Sequence, residues 1–151
     1  MKENIEFKFT KPEESPGFLL WQVTMLWQRT IKRVLDPFEI THTQFVLLAS
    51  LAWLSREKSI VNQADIAAQS RTDRMMVSKV LKTLQQKGLI TRREVESDTR
   101  AKAITFTFRG SEIFQKALTV VEETDIKFFS VLGQRRTDFG EGMVSLLQQN
   151  T

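Results

Sequence analysis

Apolar positions between residues 18 and 35 crowd nearly every side of a helix: Phe18, Leu19, Leu20, Trp21, Val23, Met25, Leu26 and Trp27. A small core covers only one stripe of a helix, so this one is either wholly internal or has a second face that meets another subunit. Asp36-Pro37 ends it, because proline cannot continue the ladder. Thr41 or Thr43 can cap a second helix running to about Arg56, whose Phe45, Leu47, Leu48, Leu51, Ala52 and Leu54 leave little polar surface and mark it as the centre of the domain. A short helix follows from Asn62, a good N-cap, to Ala68, with Ile66 and Ala67 inward and Gln69-Ser70-Arg71 as a tight connection. The next runs from about Thr72 to Lys87. Its Val77, Val80, Leu81 and Leu84 make one apolar stripe, with Met75, Lys79, Lys82 and Gln86 opposite and Ser78 on the flank. Gly88 closes it as a C-terminal cap able to take the left-handed conformation.

The period then changes from helical to two. Ile104, Phe106 and Phe108 alternate with Thr105 and Thr107 from Lys102 to Phe108, the mark of a strand with one buried face. Leu89 to Glu96 pairs with it through a turn at Ser97 to Ala101, giving a charged two-stranded hairpin. A long helix is expected from about Ser111 to Leu132 on Phe114, Leu118, Val121, Phe128 and Leu132. A last one, from about Asp138 to Gln149, carries Phe139, Met143, Leu146 and Leu147 despite Gly140 and Gly142. Residues 1–16 hold Pro12 and Pro16 without helical periodicity and read as an arm, with Ile5, Phe7 and Phe9 alternating as if to lie along a groove. Both ends of the chain display more apolar surface than one small domain needs. Together, residues 18–36 and 111–150 read as dimerisation helices around a lobe spanning about 41–110.

Length and charge sharpen this picture. A chain of 151 residues is one domain's worth of sequence. It contains no apolar run of the roughly 18 to 20 residues that crosses a bilayer. The N-terminus has no signal-like apolar stretch, so a cytoplasmic location is expected. With no cysteine, disulfides, thiolate zinc sites and thiol-based sensing are excluded. The net charge of +4 is unevenly spread: from Arg71 to Arg109 ten basic residues face four acidic ones, a surplus of six, which leaves −2 for the remainder. A basic segment of this kind suits a polyanion, since neutralising phosphates releases condensed counterions. His42 is the only histidine, which gives neither a triad nor a metal site, and it reads as a helix-start residue. No glycine-rich phosphate loop, nucleophile elbow or carboxylate cluster with metal spacing is present. No enzyme activity, cofactor or metal is expected.

A short helix, a tight turn, a second helix with a polar and basic outer face, then a basic hairpin describe a mainly α fold with a small β-hairpin wing, a winged helix-turn-helix. The major groove admits one helix, whose N-terminal half reaches base edges. Here that half offers Thr72, Arg74, Met75, Ser78 and Lys79, with Lys82 one turn on. Asn62 and Gln63 at the preceding helix start are candidate phosphate contacts. The wing offers Arg92, Arg93, Asp98, Arg100 and Lys102, and Arg100 at the tip suits the negative potential of a minor groove. Three plainer readings compete. The helix cations form a solvated face, the wing tip is an ordinary polar turn with a weak surface ion pair, or the fold serves as a protein-binding adaptor without DNA. The adaptor fits worse, because its surface should be more apolar.

The sequence here resembles the MarR family of transcription regulators. The resemblance covers roughly Thr41 to Gly110 and rests on Gln63-Ala64-Asp65-Ile66-Ala67, the run Met76-Val77-Ser78-Lys79-Val80-Leu81-Lys82-Thr83-Leu84-Gln85-Gln86-Lys87-Gly88-Leu89-Ile90, then Asp98-Thr99-Arg100 and Thr107-Phe108-Arg109-Gly110. The family usually has Leu-Thr where this chain has Thr107-Phe108. The resemblance implies a homodimer with interlocked terminal helices that binds a palindromic operator in double-stranded DNA as a repressor. It implies base contacts from Ser78 and Lys79, a minor-groove role for Arg100 and a wing-steadying one for Asp98. It also implies release by a small, often aromatic, ligand where the dimer helices meet the DNA-binding lobe, for which Trp21, Trp27 and Phe45 supply aromatic surface.

Overall fold

The computed structural model describes residues 4–95 and 98–151, the side chains of 95 and 98–101 excepted. Six α-helices and one hairpin follow in the order expected: α1 (Pro16–Leu35), α2 (His42–Ser55), α3 (Gln63–Ser70), α4 (Arg74–Gln86), β1 (Ile90–Val95), β2 (Asp98–Phe106), α5 (Phe108–Phe129) and α6 (Arg135–Gln149). No helix among the described residues is long and apolar enough to cross a membrane.

Local capping decides most of the boundaries. α1 starts two residues before the apolar run, because Ser15 accepts from the Phe18 amide and Pro16 occupies the first helical position. Thr41 and Gln44 form a reciprocal capping box at the start of α2. Asn62 and Asp65 do the same for α3. α3 runs on to Ser70 and is stopped by Arg71 in the left-handed conformation, φ 53°. α4 begins at Arg74, later than the apolar pattern indicates, because Asp73 takes the capping role and accepts from the Met76 amide at 3.1 Å. Thr72 therefore lies in the turn, not on the helix, with its amide bonded to the Ala67 carbonyl and its hydroxyl to that of Ser70.

The hairpin and the helix after it differ from expectation in one informative way. Phe108 is not the last inward residue of a strand. It opens α5 and is 80% exposed, since Thr107 accepts from the Gly110 amide and turns the chain into a helix at once. β2 also begins earlier, at Asp98, and pairs antiparallel with β1 from Ile90↔Phe106 to Glu94↔Lys102 before the register shifts. Alternation puts Ile90, Arg92 and Glu94 on one face with Lys102 and Ile104, and Thr91 and Arg93 on the other.

α2 is the axle of the core. Its Leu47, Leu48 and Leu51 are fully buried among Ile31 and Leu35 of α1, Ile66 of α3, Leu81 and Leu84 of α4, and Ile90 and Ile104 of the hairpin. The Ile104 amide donates to the Val61 carbonyl at 2.8 Å, which ties the wing to the segment before α3. Across the exit from the wing, the Thr107 amide bonds the Leu89 carbonyl, its hydroxyl bonds that of Gly88 at 2.6 Å, and Arg109 Nη1 donates to that of Lys87 at 2.6 Å. Gly110 makes this clasp possible: a Cβ there would lie 1.8 Å from the Leu89 carbonyl oxygen. Gly110→Ala is expected to cost about 2 to 3 kcal/mol of stability by forcing the backbones apart. Urea unfolding at fixed protein concentration measures it, and an unchanged midpoint would show that the joint is loose.

Candidate nucleic-acid interface

Two helix starts and the wing converge on one hollow. Asn62, Gln63 and Ala64 at the α3 N-terminus, Arg74 at the α4 N-terminus, and Arg92, Lys102 and Ile104 of the hairpin line a cavity of about 460 Å³. Three cationic residues and the start of a helix line the same space, the electrostatic arrangement that favours an anion. Asn62 spends its side-chain oxygen on the Asp65 amide at 2.9 Å. Asp65 is held below the usual carboxylate range, first by the Asn62 amide and then by Lys58, whose ammonium lies 2.8 Å away. Its negative charge is thereby committed to the cap and to Lys58.

α4 presents the rest of the surface. Val77, Leu81 and Leu84 are buried, so Met75, Lys79 and Lys82 are exposed on the far side, with Ser78 half-buried beside them, while Arg74, the first residue of the helix, is exposed at the hollow. Arg92 is steered toward the helix by a 2.8 Å bond from Nε to Gln85 Oε1. Arg93, by the strand alternation, sits on the opposite face of the hairpin from Arg92 and Lys102 and does not join this cluster. The side chains of Asp98 and Arg100 lie outside the described residues. Of the sequence-predicted site residues, Asn62, Gln63, Arg74, Arg92 and Lys102 thus share one hollow, and Met75, Ser78, Lys79 and Lys82 share the adjoining ridge.

The three aromatics expected to form a ligand pocket do not come together within the chain. Trp21 is exposed, and Phe45 is a core residue 5.4 Å from the Phe114 ring. Only Trp27 borders a cleft, a hollow of about 660 Å³ between α1, α2 and the start of α4, walled by Lys32, Asp36, Glu39, His42, Thr72 and Met76 among others. Trp27 donates from Nε1 to Asp125 of α5 at 2.8 Å and meets the His42 ring edge-on at 4.9 Å. His42 does open α2, as its position after Thr41 indicated. Its second role as a cleft wall depends on α1 folding back and has no local signature in the sequence. No cluster of three or more metal-ligating side chains occurs among the described residues.

Burial lowers the His42 pKa below its ordinary 6.5, opposed in part by the Asp125 carboxylate. The folded state therefore holds this proton less well than the unfolded chain does. The stabilisation is complete above the unfolded value of about 6.5 and is lost as pH falls through that value toward the folded one. Proton NMR of this single histidine is expected to titrate below 6.5, and Asp125→Asn is expected to move it lower still. A midpoint at or above 6.5 would mean that the ring is solvated.

Comparison with known proteins accords with this geometry. A model of the MarR family matches residues 40–102. YdcH, an uncharacterized HTH-type transcriptional regulator of Bacillus subtilis (strain 168), is 40% identical over 141 residues, covering 93% of this chain and 95% of its own. CouR from Rhodococcus jostii RHA1 superposes in two solved structures. One, a transcriptional repressor bound to a 23-mer DNA duplex, has a TM-score of 0.80 at 22% identity and covers 95% of this chain and 99% of its own. The other, bound to p-coumaroyl-CoA, has a TM-score of 0.78 at 21% identity and covers 92% of this chain and 95% of its own. Shared architecture, a close curated relative and the matched lobe agree: the chain belongs to the MarR family of winged helix-turn-helix transcriptional regulators.

Proposed function

We propose that this regulator is a homodimeric repressor that lays one α4 helix from each subunit in successive major grooves of a palindromic operator, with the wings on the flanking minor grooves. The observation that carries this reading is the convergence of Asn62, Gln63, Arg74, Arg92 and Lys102 on one anion-favouring hollow beside the exposed Met75, Ser78, Lys79 and Lys82. A phosphate in the hollow fixes the register, and the ridge of α4 then faces base edges. Lys79 donates to guanine acceptors, Ser78 accepts or donates, and the Met75 thioether packs on a thymine methyl. Arg100 is assigned to the minor groove and Asp98 to steadying it, on the family resemblance of Asp98-Thr99-Arg100.

The two-fold assembly is supported by apolar surface that no element of the chain covers. Leu20, Trp21 and Leu26 of α1, Ile126 of α5, and Leu146 and Leu147 of α6 are all exposed, and α6 buries none of its residues. That combination is what an interface between terminal helices looks like before its partner is added. The cleft at Trp27 is the proposed site for a small aromatic effector. It touches both the dimerisation helix α1 and the first turn of α4, so an occupant with unequal affinity for two lobe positions shifts the population between them.

Selecting fragments from a random duplex pool defines the operator, and affinity against salt tests the interface. The log–log slope is expected to be steep, on the order of 0.9 per phosphate neutralised. Lys79→Ala is expected to cost about 1 to 3 kcal/mol of base discrimination at one position, and Arg100→Ala to weaken binding, both with little change in melting temperature. A salt-independent interaction, or a monomer in sedimentation, would remove this reading.

A further inference from the structure

We propose that Lys87 is a positioning residue for DNA recognition, a strut that fixes the C-terminal end of α4 against the entry to α2, and not a phosphate contact. This rests on the reading of α4 as the helix that enters the groove. In the sequence Lys87 is one more cation of the basic segment. In the fold its ammonium turns the other way. Nζ donates to the backbone carbonyl of Glu39, 48 residues earlier, and to Oε1 of Gln44 at 3.2 Å.

Both acceptors are prepared for it. Glu39 sits in the left-handed region, φ 57° and ψ 33°, where a residue other than glycine is held only by its surroundings. Gln44 is 7% exposed, and the same Oε1 accepts the Thr41 amide at 3.1 Å within the α2 capping box. A lysine brings three donors and a full charge, so these bonds are stronger than those between neutral groups. The carbonyl of Lys87 is also taken, by Arg109 Nη1 at 2.6 Å. One residue thus joins the end of α4 to α2 through its side chain and to α5 through its backbone.

The mechanical consequence follows from helix geometry. The buried stripe of Val77, Leu81 and Leu84 holds α4 against the core, but apolar contacts are non-directional and tolerate a change of tilt. The helix has 13 residues and so is about 20 Å long. Pivoting it by about 5° at its C-terminus moves the reading end by roughly 1.7 Å, more than the about 0.5 Å tolerance of a recognition site. Directional bonds at Lys87 oppose that pivot.

Lys87→Met retains the aliphatic stem and removes the donors. Its affinity for the selected operator duplex and for a scrambled duplex is measured against salt, alongside amide NMR spectra of the DNA-free protein. Operator affinity is expected to fall about tenfold while scrambled-duplex affinity and both salt slopes stay unchanged. The amides of Thr41 and Gln44 are expected to shift without DNA. Gln44→Glu, which keeps the capping box and offers Lys87 a charged acceptor, is expected to retain operator affinity. A slope reduced by about one for both duplexes would make Lys87 a phosphate contact. A lower melting temperature with full affinity in the folded protein would make it a scaffold residue only. Either result overturns the proposal, as do unmoved Thr41 and Gln44 amides. Failure of the unsubstituted protein to bind any duplex would instead sink the DNA-reading assignment, and the amide spectra would still decide the strut.

Discussion

Everything on the functional face depends on the burial of one stripe of α4 against α2. Val77, Leu81 and Leu84 are inaccessible, packed among Leu47, Leu48 and Leu51. Each such side chain contributes about 1.5 to 3 kcal/mol when taken fully out of water. A helix with a single apolar stripe has one stable orientation on such a surface, and its opposite side must then face solvent. Met75, Lys79 and Lys82 point outward because inverting the helix would bury two lysines without partners. The cationic ridge is therefore a product of the core, and the sequence positions that specify the core also specify where these cations are displayed.

That coupling explains what was legible beforehand. The 3.6 period of the α4 stripe and the period-two run at Ile104 and Phe106 required no tertiary knowledge, and they gave both the reading helix and the wing. The boundaries were less legible where two residues competed for one capping role. Asp73 displaced Thr72 from the start of α4, and Thr107 converted an apparently inward Phe108 into the exposed opening of α5. In each case a side-chain oxygen satisfying an orphan amide outweighed a continued hydrophobic pattern. The aromatic pocket was the least legible feature. Trp27 borders the cleft, but Trp21 and Phe45 fall elsewhere, because a list of aromatics carries no information on which side of an all-round apolar helix each one lies. Arg92 and Arg93 part for a simpler reason: adjacent residues in a strand face opposite ways, so only one of them joins the hollow.

Charge is also partitioned by the fold. The surplus of six between Arg71 and Arg109 is largest on α4, which has three cations and no acid, while the rest of the chain is slightly acidic. Two acids beside the basic surface are committed locally: Asp73 caps α4, and Asp65, just outside the segment, caps α3 and pairs with Lys58. Carboxylates spent on caps lower the repulsion that would otherwise meet a phosphate backbone, without removing the cations that attract it. The uncovered apolar surface of α1, α5 and α6 lies on the other, less charged part of the sequence, where association of two like chains meets little electrostatic penalty.

The cleft beside Trp27 joins these separate features mechanically. Its wall includes Thr72 and Met76, which precede and open α4, and Glu39, whose carbonyl holds Lys87 at the far end of the same helix. An occupant of the cleft would therefore touch the first turn of α4 and the segment that holds Lys87 at its far end. In the proposed scheme the buried stripe preserves the fold and the Lys87 bonds set the tilt of α4. On the α1 side the same cleft is bounded by Trp27, tied to α5 through Asp125, which links α1 and α5 beside the first turn of α4. In the proposed dimer α1 and α5 carry the surface for the partner subunit, so a change in the cleft would act at once on the tilt of α4 and on the base from which its spacing to the second α4 is measured.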